Sequence, residues 1–234
     1  MSVEFWNDRY AEPGFAYGTH ANAFLKSTLP SLDLPAGAKV LCLAEGEGRN
    51  AVHLAELGFN VTAVDFSAVG MAKLQTLALE RSLQIDAHVA DLTDFDLSGG
   101  AGGDGYALIV SIYAHMPPAA RTPLHRRVAA ALAPGGYILL EAYTPANVGR
   151  GTGGPQSDAL CMSAELLRRE LNCWGGDRGE PGNIEGGPGN GEPGNWEPGN
   201  LMEVLCEEVE EEVREGKYHC GNAAIVRAVF RKPA

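Results

Sequence analysis

The stretch VLCLAEGEGRNAVHLAELGFNVTAVDFS, residues 40–67, changes period twice. Lys39–Ala44 is a short apolar run, as expected of a strand buried on both faces. Glycines at 46 and 48 then break it. From Arg49 to Leu57 the apolar residues Val52, Leu54, Ala55 and Leu57 recur at helical spacing, and Asn60–Asp65 returns to a β-branched, strand-like pattern. Strand, glycine turn, helix and strand make one βαβ unit, which implies a parallel sheet.

Outward from this unit the rhythm continues. Ala68–Ser82 predicts a helix with Met71, Leu74, Leu77 and Leu79 apolar. Ala87–Val89 predicts a short strand running to Asp91, and Ala107–Ile112 a buried one. Arg121–Leu132 predicts a helix stopped by Pro134-Gly135-Gly136. Tyr137–Ala142 is a further strand and Ser163–Leu171 a further helix. Near the C-terminal end Val204–Val213 and Ala223–Phe230 are two extended runs with no helix between them, so they pair antiparallel. The fold class is α/β: a mostly parallel sheet ending in an antiparallel hairpin, with helices on both faces.

The 234 residues, 45% of them apolar, suffice for one domain spanning 1–234. Gly175–Asn200 differs: it holds four Pro-Gly-Asn triplets and almost no apolar side chains. Successive turns without burial predict a disordered insert. A net charge of −12 without a basic stripe argues against nucleic acid and anionic membranes as partners. Five cysteines without a CxxC pair fit a reducing compartment and predict no metal site. The start MSVEFWNDRY lacks the apolar core of a secretory signal, and no run approaches the ~20 residues of a membrane span. A cytoplasmic protein, monomeric or homodimeric, is expected. The acid run Glu207–Glu212 reads as the solvated face of an edge strand, its charges opposing aggregation.

Glycines where a strand hands over to a helix let a ligand approach the backbone, and the helix N-terminus offers free N–H groups. Asp65, nineteen residues after Gly46, ends the next strand, where a carboxylate accepts hydrogen bonds from ribose hydroxyls. The spacing Gly46, Gly48, Ala51 also fits a dinucleotide fingerprint, so a nicotinamide-dependent reductase is an alternative. The lack of room for a separate substrate domain, the terminal hairpin and the further acid Asp91 disfavour it. A non-catalytic nucleotide-binding module is the third option.

With these residues in view, 40–67 resembles motifs I and II of the class I S-adenosylmethionine (SAM)-dependent methyltransferases. Ala90-Asp91-Leu92 resembles their adenine-binding acidic motif, and Leu132-Ala133-Pro134-Gly135-Gly136 is similar to the turn before their fifth strand. FWNDRYAEPGFAYGTHANAFL (5–25) and Tyr218-His219-Cys220-Gly221 resemble the small tellurite-resistance or thiopurine-methyltransferase-like group. The resemblance implies a Rossmann-like sheet, SAM as cofactor, and cofactor contacts from Trp6, Tyr17, Glu45, Gly46, Gly48, Asn50, Asp65, Phe66, Asp91, Leu92 and Ser111. Class I enzymes usually carry an acid where Cys42 stands and a glycine where Ala44 stands. Glu45 or backbone near Ser111 is therefore the expected partner of the methionine ammonium, and Glu45 equally suits the helix dipole.

The loop after the fourth strand, Tyr113–Pro118, lacks the Asn/Asp-Pro-Pro-aromatic motif of nucleic-acid amino methyltransferases, so a small-molecule acceptor is expected. Methyl transfer from a sulfonium needs proximity and water exclusion. A soft acceptor, such as a thiol, selenium or tellurium species, needs little base help. Arg9 is the expected cation for an anionic acceptor, and His115 and His219 the expected hydrogen-bond donors or proton acceptors. Residues 1–37 are expected to form a lid, or alternatively a helix packed on the sheet. Cys161, Cys173, Cys206 and Cys220 are too scattered to predict a metalloid site.

Overall fold

A backbone that alternates side chains across a sheet sorts Lys39–Leu43 (β1) into two faces, and the computed structural model shows that sorting directly. It describes residues 2–100, 105–171 and 201–234, so the expected insert at 175–200 lies outside the described residues. Val40 and Cys42 face one core with Phe24, Leu25, Leu54, Met71 and Leu74. Leu41 and Leu43 face the other with Leu124, Val128, Leu167 and Phe230. Cys42 is fully buried, and burial holds its thiol well above the usual range. It is a core residue.

The other strands are β2 (Asn60–Asp65), β3 (Asp86–Val89), β4 (Tyr106–Ile112), β5 (Leu132–Tyr143), β6 (Met202–Glu215) and β7 (His219–Arg231). Their order is β3-β2-β1-β4-β5-β7-β6. The first five pair in parallel, and β7 lies antiparallel between β5 and β6. This is the expected mostly parallel sheet with an antiparallel C-terminal hairpin. The helices are α1 (Val3–Ala11), α2 (Ala23–Thr28), α3 (Arg49–Glu56), α4 (Ala68–Glu80), α5 (Pro118–Ala131) and α6 (Ala164–Leu171). α2, α3 and α4 contribute to one core and α5 and α6 to the other. Arg121 and His125 of α5 both meet the Glu170 carboxylate of α6, His125 Nδ1 at 2.8 Å, which ties the two helices.

One local finding differs from the expected boundaries, and another takes the helical alternative. Pro134-Gly135-Gly136 sits inside β5 as a register shift: Tyr106 pairs with Leu132, yet Leu108 pairs with Tyr137. The three extra residues are accommodated because Gly135 takes φ +75° and a Cβ on Gly136 would lie 2.7 Å from the Tyr106 carbonyl oxygen. Residues 3–11 of the expected lid segment form a helix, capped by Ser2, whose Oγ accepts the Phe5 N–H.

The exit from β1, beside the cavity described below, turns through three residues of positive φ. Ala44, Gly46 and Gly48 have φ of +49°, +61° and +92°. Glycine adopts this region freely, whereas alanine pays about 1–2 kcal/mol. The Ala44 methyl recovers part of that by packing on the core. Ala44→Gly is therefore expected to stabilise the fold by about 0.5–1 kcal/mol, read as a higher urea midpoint at unchanged m-value. A lower midpoint would show that methyl packing outweighs backbone strain.

Candidate active site

The charged residues of the glycine turn hold three different parts of the molecule. α3 begins at Gly48, which has no side chain to cap it. Glu45 substitutes: its Oε1 accepts the N–H groups of Asn50 and Ala51 at 2.8 and 2.7 Å. A carboxylate there also complements the helix dipole. Burial raises Glu45 to about 7 against those hydrogen bonds. Glu47 accepts the Ala16 N–H at 2.7 Å and pairs with Lys73 at 2.9 Å, and Lys73 also donates to the carbonyls of Glu12 and Gly14. Residues 12–16 are thereby strapped over α4. Arg49 reaches the other way, to Glu215 at the end of β6, at 2.8 Å.

Asp65 closes the turn from β2. Its Oδ2 accepts the Gly46 N–H at 2.9 Å and its Oδ1 the Ser67 N–H at 2.7 Å. Burial raises it to about 6 despite these bonds. A Cβ on Gly46 would lie 2.5 Å from the Tyr10 hydroxyl, and one on Gly48 2.5 Å from Leu74 Cγ. These glycines are required by packing as well as by backbone angle.

Around this turn lies a cavity of about 710 Å³. It sits beyond the carboxyl ends of β1, β2, β3 and β4, where open α/β sheets bind ligands. Of the residues expected to form the site, Trp6, Arg9, Tyr17, Glu45, Asn50, Asp65, Phe66, Asp91, Leu92, His115 and His219 all line it. Gly46, Gly48 and Ser111 do not: Tyr10 and Leu74 cover the glycines, and Ser111 is buried within β4.

The cavity has two ends. Phe66, Ala90, Asp91 and Leu92 form a slot beside Asp65. Asp91 at its rim accepts the N–H and hydroxyl of Thr93 through Oδ1. The opposite end is aromatic. Tyr17 and Tyr113 lie 4.4 and 4.5 Å from the His219 ring, centroid to centroid, and Tyr143 lies 5.3 Å from it. Tyr113 follows β4 directly with φ +55°, a conformation that side chains other than glycine seldom take. The Arg9 guanidinium stacks 3.8 Å from the Tyr218 ring and donates to the Tyr17 hydroxyl at 3.1 Å. Among the described residues it has no carboxylate within ion-pair distance.

The two histidines part company. His115 Nδ1 donates to the Leu160 carbonyl at 2.9 Å, and its Nε2 accepts the Tyr143 N–H at 3.3 Å. Burial lowers it to about 4. Both nitrogens serve the backbone, so His115 is corrected from proton acceptor to a neutral strut beneath the cavity. His219 has only its Nδ1 engaged, facing Glu215 Oε2 at 3.5 Å. Glu47 and Arg49, which line the cavity, and Asn22, Tyr143 and Glu215, which contact its lining residues, were not singled out by the sequence. Arg49 and Glu215 lie 166 positions apart. The one available signal was that acid and base alternate with glycine in EGEGR.

Comparison with known proteins agrees with this geometry. Residues 40–136, which carry the glycine turn, Asp65 and Asp91, match the methyltransferase domain family. That stretch, residues 40–136, is thus similar to a methyltransferase domain. A ubiquinone biosynthesis O-methyltransferase of Xanthomonas axonopodis pv. citri (strain 306) is 32% identical over 114 residues, 48% of this chain and 46% of that protein. The chain thus spans about half the length of the curated relative it matches. Among solved structures, the N-methyltransferase NodS from Bradyrhizobium japonicum WM9 with S-adenosyl-L-homocysteine is similar at TM-score 0.64 and 14% identity, covering 99% of this chain and 98% of that one. TehB from Haemophilus influenzae is similar at TM-score 0.60 and 16% identity, covering 88% and 62%. These structural likenesses establish the fold. Among the described residues no helix is long and apolar enough to cross a membrane, and no cluster of three His, Cys, Asp or Glu is placed to hold a metal.

Proposed function

We propose that the protein is a SAM-dependent methyltransferase acting on a small molecule, with a soft acceptor such as a thiol, selenium or tellurium species. The observation that carries this is a single cavity lined by Asp65, Phe66, Asp91 and Leu92 and also by the aromatic group around His219. The residues present fit the cofactor. Asp65 accepts backbone N–H groups of Gly46, Ser67 and Phe66, and a carboxylate has about four acceptor positions, so capacity remains for a ribose hydroxyl. Phe66 and Leu92 offer apolar faces to an adenine, with Asp91 at its edge. When bound, SAM supplies an electrophilic methyl group on a sulfonium. The chain's own residues bind, orient and exclude water. Trp6, Tyr10 and Tyr17 roof the site under the strap that Glu47 and Lys73 hold.

Polarizable walls suit a polarizable acceptor: Tyr113, Tyr218 and Met116 line that end. Arg9, held flat by Tyr218, presents a cationic fork to an anionic group on the acceptor. The nicotinamide alternative loses its support, because the residues that suggested it lie within the methyltransferase domain match. Resemblance to the tellurite-resistance-like group supports the acceptor class without deciding among its members.

The test is paired. S-adenosylhomocysteine should bind in calorimetry and raise the melting temperature, whereas NADH should do neither. Arg9→Ala should lower methyl transfer to the best acceptor in a thiol and chalcogen-oxyanion panel about tenfold or more while leaving S-adenosylhomocysteine affinity within about threefold. Loss of cofactor binding in this variant would instead place Arg9 on the methionine carboxylate.

A further inference from the structure

Glu215 is the last residue of β6 and stands where three elements meet. Its Oε2 accepts from Arg49 Nη2 of the glycine turn at 2.8 Å and faces His219 Nδ1 of β7 at 3.5 Å. Its Oε1 accepts from Asn22 Nδ2 at 3.0 Å. The same Asn22 amide donates to Glu141 Oε1 of β5 at 2.6 Å, and Glu141 Oε2 accepts from Arg227 Nε of β7 at 2.7 Å. Glu215 and Glu141, Arg49 and Arg227, and the Asn22 amide thus belong to one connected, mostly buried network behind the aromatic pocket, which Arg227 extends to Glu211.

Such a network is a poor device for stability alone, since well-packed apolar residues of the same volume generally do as well or better. It does fix geometry. An acceptor-only carboxylate opposite Nδ1 puts the proton on that nitrogen. Nε2, across the ring, is then the basic nitrogen and has no protein partner among the described residues. Tyr17, Tyr113 and Tyr143 pack against the imidazole ring. The Gly153 backbone adds a further wall, for a Cβ there would lie 2.7 Å from His219 Cδ2.

We propose that Glu215 is a positioning residue of the acceptor site: it holds His219 as the Nδ1–H tautomer, so that Nε2 takes the proton of an S–H or O–H acceptor. The inference rests on the methyltransferase reading for its consequence, but the tautomer is a property of the chain alone. The acceptor's X–H bond breaks heterolytically. The proton passes to Nε2, the electron pair stays on X, and the imidazolium that forms is balanced by the Glu215 carboxylate. The other charged groups facing His219 are Arg49 and Arg9, both opposing its protonation, and burial opposes it as well. Glu215 is the compensating anion. Its own carboxyl would be raised by burial, but the His219 hydrogen bond and the Arg49 charge hold it at about 2, so it stays ionised through the working range.

Long-range ¹H–¹⁵N spectra of the full chain read the tautomer, with the His219 signals assigned by their absence in His219→Gln. Wild type should show the Nδ1–H form. E215L should show a mixture of tautomers and a His219 titration moved to lower pH. With SAM and benzyl mercaptan, a thiol protonated at neutral pH, E215L should lose about 10–100-fold in kcat, a share of the 10²–10⁴ a general base supplies. Its S-adenosylhomocysteine affinity should stay within about threefold. E215Q, which keeps an acceptor oxygen, should restore the tautomer but not the titration. An unchanged tautomer and titration in E215L overturns the proposal, as does unchanged kcat. If E215L does not fold, E215Q decides through its titration, which must move to lower pH. If wild type binds no S-adenosylhomocysteine, the methyltransferase reading fails while the tautomer result stands. If it binds but leaves benzyl mercaptan unmethylated, the tautomer and titration decide.

Discussion

Arg49→Met is expected to destabilise the protein by about 3–5 kcal/mol at pH 7, the range for breaking a buried ion pair from one side. The methionine fills the space but leaves Glu215 near Glu141 with its guanidinium partner gone and only the Asn22 amide and the neutral His219 facing it. The cost is electrostatic, so it depends on pH with a definite sign. Glu215 is held at about 2, below the ordinary carboxyl value of 4.5. A depressed carboxyl contributes stability that is full above its unfolded value and is lost as pH falls through the folded one. In wild type that loss spans roughly pH 5 to 2. Without Arg49 the depression is smaller, so the two proteins should converge in stability across this window and differ most above it. Urea unfolding at pH 7 and pH 4 measures both points. The double variant Arg49→Met/Glu215→Gln should recover part of the loss, since it removes the stranded charge. Additive losses in the double variant would show that the pair is not coupled.

What could be read from the sequence, and what could not, follows from the range of the interactions. β1, α3 and β2 declare themselves because their periods, 2 and 3.6, are local properties of consecutive side chains. Asn60–Asp65 is bounded by the same residues in sequence and structure. Asp65 and Asp91 were legible because strand ends in a parallel sheet fall on one edge, and Phe66 and Leu92 were expected from the family resemblance; all four line the cavity. The charges of the glycine turn were not. The partners of Glu47 and Arg49, Ala16 in the strap and Glu215 in the hairpin, are distant in sequence, and no local pattern announces a partner 166 positions away. His115 shows the opposite failure. A histidine after a strand end looks available, yet two backbone groups, at Leu160 and Tyr143, occupy it. Pro134-Gly135-Gly136 looks like a stop and is a bulge, because β4 continues beside it and Gly136 lies so close to the β4 carbonyls that a Cβ there would clash.

Asp65→Asn is expected to weaken S-adenosylhomocysteine binding about 10–100-fold, which corresponds to losing a charge-assisted hydrogen bond worth about 1.5–3 kcal/mol. Asparagine has one acceptor oxygen where the carboxylate has two, and Gly46 and Ser67 N–H already claim one acceptor position on each oxygen. The variant therefore loses capacity for a ribose hydroxyl and strains the glycine turn together. The pH profile separates the two effects. Burial places the Asp65 carboxyl at about 6, so it is ionised at pH 8 and largely protonated at pH 5. Wild-type affinity should accordingly rise as pH increases through 6, where the stronger, charged acceptor forms. The Asn variant has no such group, and its profile should be flatter. A shallower slope nearer neutrality remains in both proteins if Glu45, held at about 7, also senses the ligand. Calorimetric titrations at pH 5, 6, 7 and 8 on both proteins resolve these contributions. Equal affinities, or parallel profiles offset by a constant factor, would show that Asp65 acts only by shaping the turn and that the hydroxyl is held elsewhere.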